Sequence, residues 1–419
     1  MSTAKVINIV HPSGTITNLV NDANGGIVIG GTLTANANVT VNGTSTFTGT
    51  LTAGNVNITG NVTGNLTIAG TMTAANANVT GTVVMSSSFK RNRIINGNMV
   101  IDQRNAGANV TATDGGYTLD RWAAISYASA SKFSVQQNAG SVTPPTGFAN
   151  YLGCTSLSAY SVGATDIYGL YQRIEGFNVA DLQWGTASAK TVTLSFVVYS
   201  SLTGTFGGAI NNSAQNRSYP FSYSIPSANT WATVSVTIPG DTSGTWLTTT
   251  GIGIQVSFGI GVGTTRSGTA GAWAGSTYYS ATGAVSVVGT SGATFYITGV
   301  QVEMGTKATP YELQIYSDQL AQCQRYFQVF NTFDIEGYAN AGTVRAVNVP
   351  MTFPVQMRAA PTRTVTTAGT LANVRSSSTA YAGLGLNKLT STQASVSVES
   401  AAAGLVQCTN QSETMSAEL

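Results

Sequence analysis

The chain has 419 residues, enough for two or three domains, but only 8% of them are charged and the net charge is +2. Ordinary soluble proteins carry about 25% charged residues, and so few charges cannot build a nucleic-acid groove or a polybasic membrane patch. The 47 glycines, with abundant Ser, Thr and Asn, predict a mainly β, turn-rich protein.

Residues 1–30 form a head segment. A Pro12-Ser13-Gly14 turn comes first, then a hairpin predicted around residues 21–26 between two apolar runs. Met1 to Lys5 leads into no long hydrophobic stretch, and no run of about 20 apolar residues is present for a membrane span. Export and membrane insertion are therefore not expected. Cys154, Cys323 and Cys408 are odd in number and far apart, so they suggest buried small hydrophobes rather than a disulfide framework.

Residues 31–89 contain no Asp, Glu, Lys, Arg or His. GTLTANANVT from Gly31 returns as GTMTAANANVT from Gly70, with N-V-T-G and N-I-T-G units between. Such self-similarity marks repeat architectures. The residue types favour very short strands and tight turns over helix. A single chain would bury too little here to offset ordering costs of about 1–2 kcal/mol per residue. The alternative is a flexible linker. Regularly placed residues such as Val39, Val41, Phe47, Leu51, Val56 and Ile58 favour a fibrous, trimeric β-repeat shaft with a shared apolar axis. The repeated N-x-T triplets follow from this composition rather than from glycosylation.

Charge returns at Lys90-Arg91-Asn92-Arg93. Residues 90–313 read as a jelly-roll-like β-sandwich, with alternating runs such as TVTLSFVVYS from Thr191 and GIGIQVSFGI from Gly251 separated by turn residues. Trp122, Trp184, Trp231 and Trp246 are expected in its core. Residues 314–330 hold one short connecting helix, capped by Ser317 and running to about Phe330, with Leu320, Cys323, Phe327 and Phe330 on one stripe. Residues 331–419 return to strand-like runs and are expected to form a small C-terminal β-domain.

No catalytic residues, metal ligands or cofactor are expected. The one histidine, His11, lies in the head, so His-based nucleophilic catalysis lacks its base. Glycan cleavage needs only two carboxylates at a defined separation. Asp114, Asp120, Asp166, Glu175, Asp181, Asp241, Glu303, Asp334 and Glu336 are of the right type. Asp120-Arg121 and Arg173 with Glu175 read instead as paired charges beside buried aromatics. Binding is the stronger expectation, since sugar recognition uses exposed aromatic faces with directional polar groups. The Gly/Ser-rich segment 263–283 carries Arg266, Trp273, Tyr278 and Tyr279, with Trp273 expected exposed. Tyr338, Arg345, Arg375, Tyr381 and Lys388 form a second candidate surface.

Several stretches resemble tail-fibre proteins of bacteriophages and prophages. They are NRIINGNMVIDQRNAG from Asn92, YTLDRWAA from Tyr117, YQRIEGFN from Tyr171, WATVSVTIPGDTSGTW from Trp231, ATFYITGVQVEMGTKATPYE from Ala293, LAQCQRYF from Leu320, FPVQMRAAPT from Phe353 and the terminal SAEL. The opening INIVHPSGTITNLVNDANG resembles the starts of fibre chains of cyanobacterial phages. The resemblance implies a homotrimeric virion fibre, made in the host cytoplasm and located in the tail. Residues 1–30 would dock to other virion proteins of the tail or baseplate. Distal β-domains would contact host surface polysaccharide or lipopolysaccharide. A head-attached fibre or decoration protein and a tailspike-type depolymerase are the alternatives.

Overall fold

A computed structural model describes residues 20–21, 27–28, 90–339, 347–367, 370–373, 381–400 and 404–419. The shaft lies outside the described residues. In the head, β1 (Val20–Asn21) pairs antiparallel with β2 (Ile27–Val28), as expected for the hairpin. Val83–Leu419 forms one compact unit, separate from Met1–Thr82.

The sandwich is two six-stranded antiparallel sheets. The first takes the order β11 (Ser218–Ile225), β10 (Gly204–Asn211), β13 (Ile252–Val262), β8 (Ile167–Glu175), β5 (Trp122–Tyr127), β4 (Tyr117–Leu119). The second runs β12 (Ala232–Ile238), β9 (Val192–Ser200), β16 (Thr294–Met304), β7 (Leu152–Ser156), β6 (Phe133–Gln137), β3 (Val110–Thr111). Two-residue alternation decides which side chains fill the core. Trp122 and Ala124, Tyr168 and Leu170, and Val256 and Phe258 point inward, against Leu194, Phe196 and Val198 of the facing sheet. Trp184 and Trp246 join this core, whereas Trp231 packs on the outside of the second sheet with Tyr151 and Tyr199.

The asparagines of the NRIINGNM run knit the entering chain to the sandwich. Asn92 Nδ2 donates to the Val300 carbonyl at 3.1 Å, and its Oδ1 accepts from the amides of Ile94 and Val302. Asn96 Oδ1 accepts from the Ile101 amide at 2.9 Å. Between them, Gly97 leaves space for nothing more: a Cβ there would sit 2.1 Å from the Val300 oxygen.

The helix α1 is shorter than its apolar stripe predicts, spanning Tyr316–Gln324. Ser317 lies within it and does not cap it, although Asp318 does occupy the first turn. Cys323 is fully buried with Ile95, Ile101 and Tyr326, and Leu320 packs against them. Phe327 and Phe330 belong instead to β17 (Phe327–Ala339). The helix stops because the following segment is claimed by other strands. Arg358 N donates to the Arg325 carbonyl, Ala417 N donates to that of Tyr326, and β17 pairs with β23 (Gly404–Ser416). β23 also pairs with β19 (Thr362–Thr367) and β20 (Thr370–Asn373). A three-stranded sheet of β18 (Val347–Thr352), β22 (Gln393–Ser400) and β21 (Tyr381–Leu389) completes the C-terminal region, and β14 (Ser267–Gly268) pairs parallel with β15 (Ser280–Ala281) beside the first sheet of the sandwich.

The helix, β17 and residues 417–419 meet the sandwich at a seam made of buried charge. Arg121 is 1% exposed, pairs with Glu418 and stacks its guanidinium 3.6 Å from the Tyr326 ring centre. Arg104 also pairs with Glu418 and lies 3.7 Å over Phe327. Arg325 grips Glu175 through two bonds of 2.8 and 2.6 Å, and the Tyr326 hydroxyl donates to the same carboxylate at 2.8 Å. Arg358 donates to the carbonyls of Ala417 and Glu418. Pairing beside aromatics was expected, but the partners differ. Arg121 takes Glu418 rather than Asp120, and Glu175 takes Arg325 rather than Arg173. Asp120 instead accepts from the Gln103 amide and side chain.

Burial raises Asp120 to about 6 despite the neighbouring Arg104 and the bonds from Gln103. Burial also works against a charged Glu175, but the bonds from Arg325 and Tyr326 outweigh it and hold that carboxyl below its usual range. The two therefore act with opposite sign. Asp120 contributes stability below its unfolded value near 4, lost as pH rises through about 6. Glu175 contributes stability above its unfolded value, lost as pH falls through its depressed folded one. Urea unfolding of the intact chain checks both the pairing and the linkage. Glu418→Ala strands Arg121 without its carboxylate and is expected to cost about 3–5 kcal/mol. Asp120→Asn is expected to remove a decline in stability between pH 4 and 6 on the order of 3 kcal/mol. Unchanged unfolding of Glu418→Ala would contradict the seam as described.

Candidate functional site

Outward-facing residues of β5, β8 and β13 make the floor of a groove on the first sheet. The alternation that buries Trp122 and Ala124 turns Ile125 and Tyr127 out, and that of β8 turns out Ile167, Tyr171 and Arg173. Gln255 comes from β13. One rim is the Thr113–Gly116 turn, where the Gly115 amide donates to the Ala124 carbonyl at 3.0 Å and the residue takes φ +70. Asp114 stands on this rim and its Oδ1 accepts from the Ser126 amide at 3.1 Å. The other rim is the turn ending in Arg266, tied to Tyr279 by an amide-to-carbonyl bond of 2.8 Å.

Together these residues enclose about 290 Å³, near the lower end of the roughly 300–1,000 Å³ typical of small-molecule sites. Tyr127 is 50% exposed at the mouth, while Tyr171 is buried in the floor. Arg173 is held in place by Gln255 at 3.0 Å and by the Leu419 carbonyl at 2.6 Å, with its guanidinium 4.9 Å from the Tyr171 ring centre. Burial raises both the Tyr171 and Tyr279 hydroxyls above their ordinary range, so they remain protonated donors. The groove is thus lined by the partly exposed Tyr127 and Tyr279 over the buried Tyr171, with a carboxylate, two guanidiniums and an amide around them.

Of the sequence-derived candidates, Arg266 and Tyr279 line this groove. Trp273 does not, and it is half-buried rather than exposed. It stacks edge-on with Trp184 and Trp246 at 5.3 and 5.5 Å and with Tyr219 at 5.1 Å, and its Nε1 donates to the Pro239 carbonyl at 2.8 Å. Its neighbour Ala274 bridges to Ser218 on the edge strand β11. Tyr278 is likewise pinned. Its carbonyl accepts from Asn211, and its ring lies where a Cβ on Gly268 would be 2.4 Å away. Gly268 admits the Tyr278 ring, while Gly271 and Gly275 on either side of Trp273 have open space around them, so ring packing and not glycine contact holds this segment. Tyr338 falls in β17 and Tyr381 and Lys388 in β21, where their side chains lie outside the described residues, as do Arg345 and Arg375.

Composition around 263–283 pointed to part of this site but missed Tyr127, Tyr171 and Gln255. The alternation of WAAISY and IYGLYQR was the available signal. The other carboxylates are committed elsewhere. Asp166 accepts from Tyr160 and the Gly163 amide, Asp181 pairs with Arg93, Asp241 pairs with Arg217, and Glu303 accepts from Thr309 and Gln301. The side chains of Asp334 and Glu336 lie outside the described residues.

No protein-family model and no curated protein matches the chain. Solved structures similar to it include the enzymatically active domain of tailspike protein 4 from bacteriophage CBA120, at 11% identity and a TM-score of 0.28. That likeness covers 47% of this chain and 22% of the tailspike domain's chain. A family 4 carbohydrate-binding module is 16% identical with a TM-score of 0.28, over 50% of this chain and 98% of that one. A putative sugar binding protein from Bacteroides thetaiotaomicron is 13% identical with a TM-score of 0.30, over 51% and 100%.

The contrasting placements of Trp273 and Tyr127 are separable by stability. Trp273→Ala opens the tryptophan cluster and is expected to cost about 2–4 kcal/mol in chemical denaturation. Tyr127→Ala is expected to stay within about 0.5 kcal/mol of the parent. Equal effects would contradict these placements.

Proposed function

We propose that the chain is a bacteriophage fibre that binds a glycan of the host cell surface in the groove between Asp114 and Arg266. The observation that carries the binding half is the convergence of Tyr127, Tyr171 and Tyr279 with Asp114, Arg173 and Gln255 on a rigid sheet face. Aromatic faces suit the C–H surfaces of sugar rings, and forked or planar polar groups suit their hydroxyls. The fibre half rests on the motif resemblance and on the uncharged repeat of residues 31–89. In this reading the protein is a homotrimer of the virion tail, docked through residues 1–30. Threefold display would multiply a modest site affinity by about 10²–10⁴. Light scattering of the intact chain should then give three times 43.1 kDa.

The role proposed is binding without cleavage. Asp114 is the one carboxylate among the groove's lining residues, whereas glycoside hydrolysis ordinarily uses two. The test incubates the intact protein with host cells and with their extracted polysaccharide, scoring retention and new reducing ends together. Retention without new ends is expected, reduced at least tenfold by Tyr127→Ala combined with Tyr279→Ala. New reducing ends would favour the depolymerase reading. Undiminished retention in the double variant would remove the groove from the proposal.

A further inference from the structure

The chain uses its scarce arginines economically. Every other arginine among the described residues donates to a carbonyl or a carboxylate, from Arg91 on Pro310 and Arg217 on Asp241 to Arg363 on Glu413. The Arg266 side chain is the exception, with no acceptor among the described residues, and it lines the groove. Its backbone, by contrast, is held firmly. Gly263 N donates to Asp166, Thr265 N and Oγ1 donate to Ala164, Arg266 N donates to Gly263, and the Arg266 carbonyl accepts from Tyr279.

A half-buried guanidinium on a fixed turn, with five unused N–H donors, is arranged to receive an acceptor from outside the chain. The unused donors favour an anion. Arg266 faces the groove without an acceptor, whereas Arg173 is held by Gln255 and Leu419, and the one lining carboxylate, Asp114, already accepts from the Ser126 amide. The planar fork of arginine matches a carboxylate in two parallel bonds. Tyr279, whose amide is bonded to the Arg266 carbonyl, places an aromatic ring and a hydroxyl beside it.

We infer that the groove selects an acidic glycan, one bearing a uronic or ulosonic acid whose carboxylate pairs with Arg266. The inference rests on the glycan-binding reading above and names the substrate class of that site. Tyr127 and Tyr279 hold the sugar ring, Asp114 takes hydroxyls, and Arg266 supplies the discrimination against neutral sugars. Because the Arg266 side chain makes no hydrogen bond to the described residues while its main-chain bonds survive substitution, its replacement leaves the fold intact.

The test is a glycan array probed with the intact protein. It carries uronate- and sialate-containing oligosaccharides, their carboxyl-reduced counterparts and sulfated neutral sugars. Binding is expected on the carboxylated members and should weaken with added salt. Arg266→Met should lower their affinity roughly ten- to hundredfold, the loss of a charge-assisted bond, at unchanged melting temperature. Arg266→Lys should recover part of it. Binding to reduced sugars that is lost in Tyr279→Ala but unchanged in Arg266→Met would overturn the acidic class and leave glycan binding standing. A preference for sulfate over carboxylate would also overturn it. No binding to any member would remove both readings.

Discussion

The union of Arg121 with Glu418 is the constraint on which the rest of this molecule depends. In a chain with so few charges, it places a guanidinium at 1% exposure on a residue held at φ +70, both of which cost free energy unless the surroundings enforce them. Tyr326 supplies the ring beneath it, Glu418 the counter-charge, and the Arg173 carbonyl an acceptor for its second nitrogen. A buried pair of this kind contributes little net stability over an apolar replacement, but it penalises every arrangement that leaves either charge alone. It therefore specifies how residues 417–419 and the helix dock on the sandwich.

The same network reaches the groove. Arg173 gives its carbonyl to Arg121 and its guanidinium to Leu419 and Gln255, so one residue belongs to both the seam and the binding floor. The hydroxyl of Tyr117, beside the groove's floor residues, also donates to the Leu419 carbonyl. Floor side chains fixed in this way lose little further freedom when a ligand arrives, which favours binding by lowering its ordering cost.

Much of this architecture was legible in the sequence, because its signals are local. Alternation gave the strands of the sandwich, and the Cys323 stripe gave the helix. What was not legible depended on pairings across long separations. The helix was extended to Phe330 because its apolar spacing continued, while the competing strand β23 lies some 80 residues further along the chain. The charge pairs were assigned to sequence neighbours, whereas Arg121 reaches Glu418. Trp273 was read as exposed because glycines surround it, although its indole packs on Trp184, Trp246 and Tyr219, residues far from it in sequence. Arg266 and Tyr279 were found for a sound reason, since turn segments present side chains freely. The rest of the groove came from strand alternation, whose outward face carries no label until the inner face is known.

The eight stretches that resemble tail-fibre proteins now have physical content, since several of them converge on the seam. DQRN supplies Arg104, YTLDRW supplies Asp120 and Arg121, YQRIEG supplies Arg173 and Glu175, CQRYF supplies Arg325 and Tyr326, and SAEL supplies Glu418. They encode the docking of the distal strands rather than a ligand, while the groove draws on residues largely outside them. The most direct test of the binding account is hydrogen exchange of the intact protein with and without extracted host polysaccharide. The account requires new protection confined to residues 113–127, 167–173 and 263–280. Protection elsewhere with these segments unchanged would contradict it.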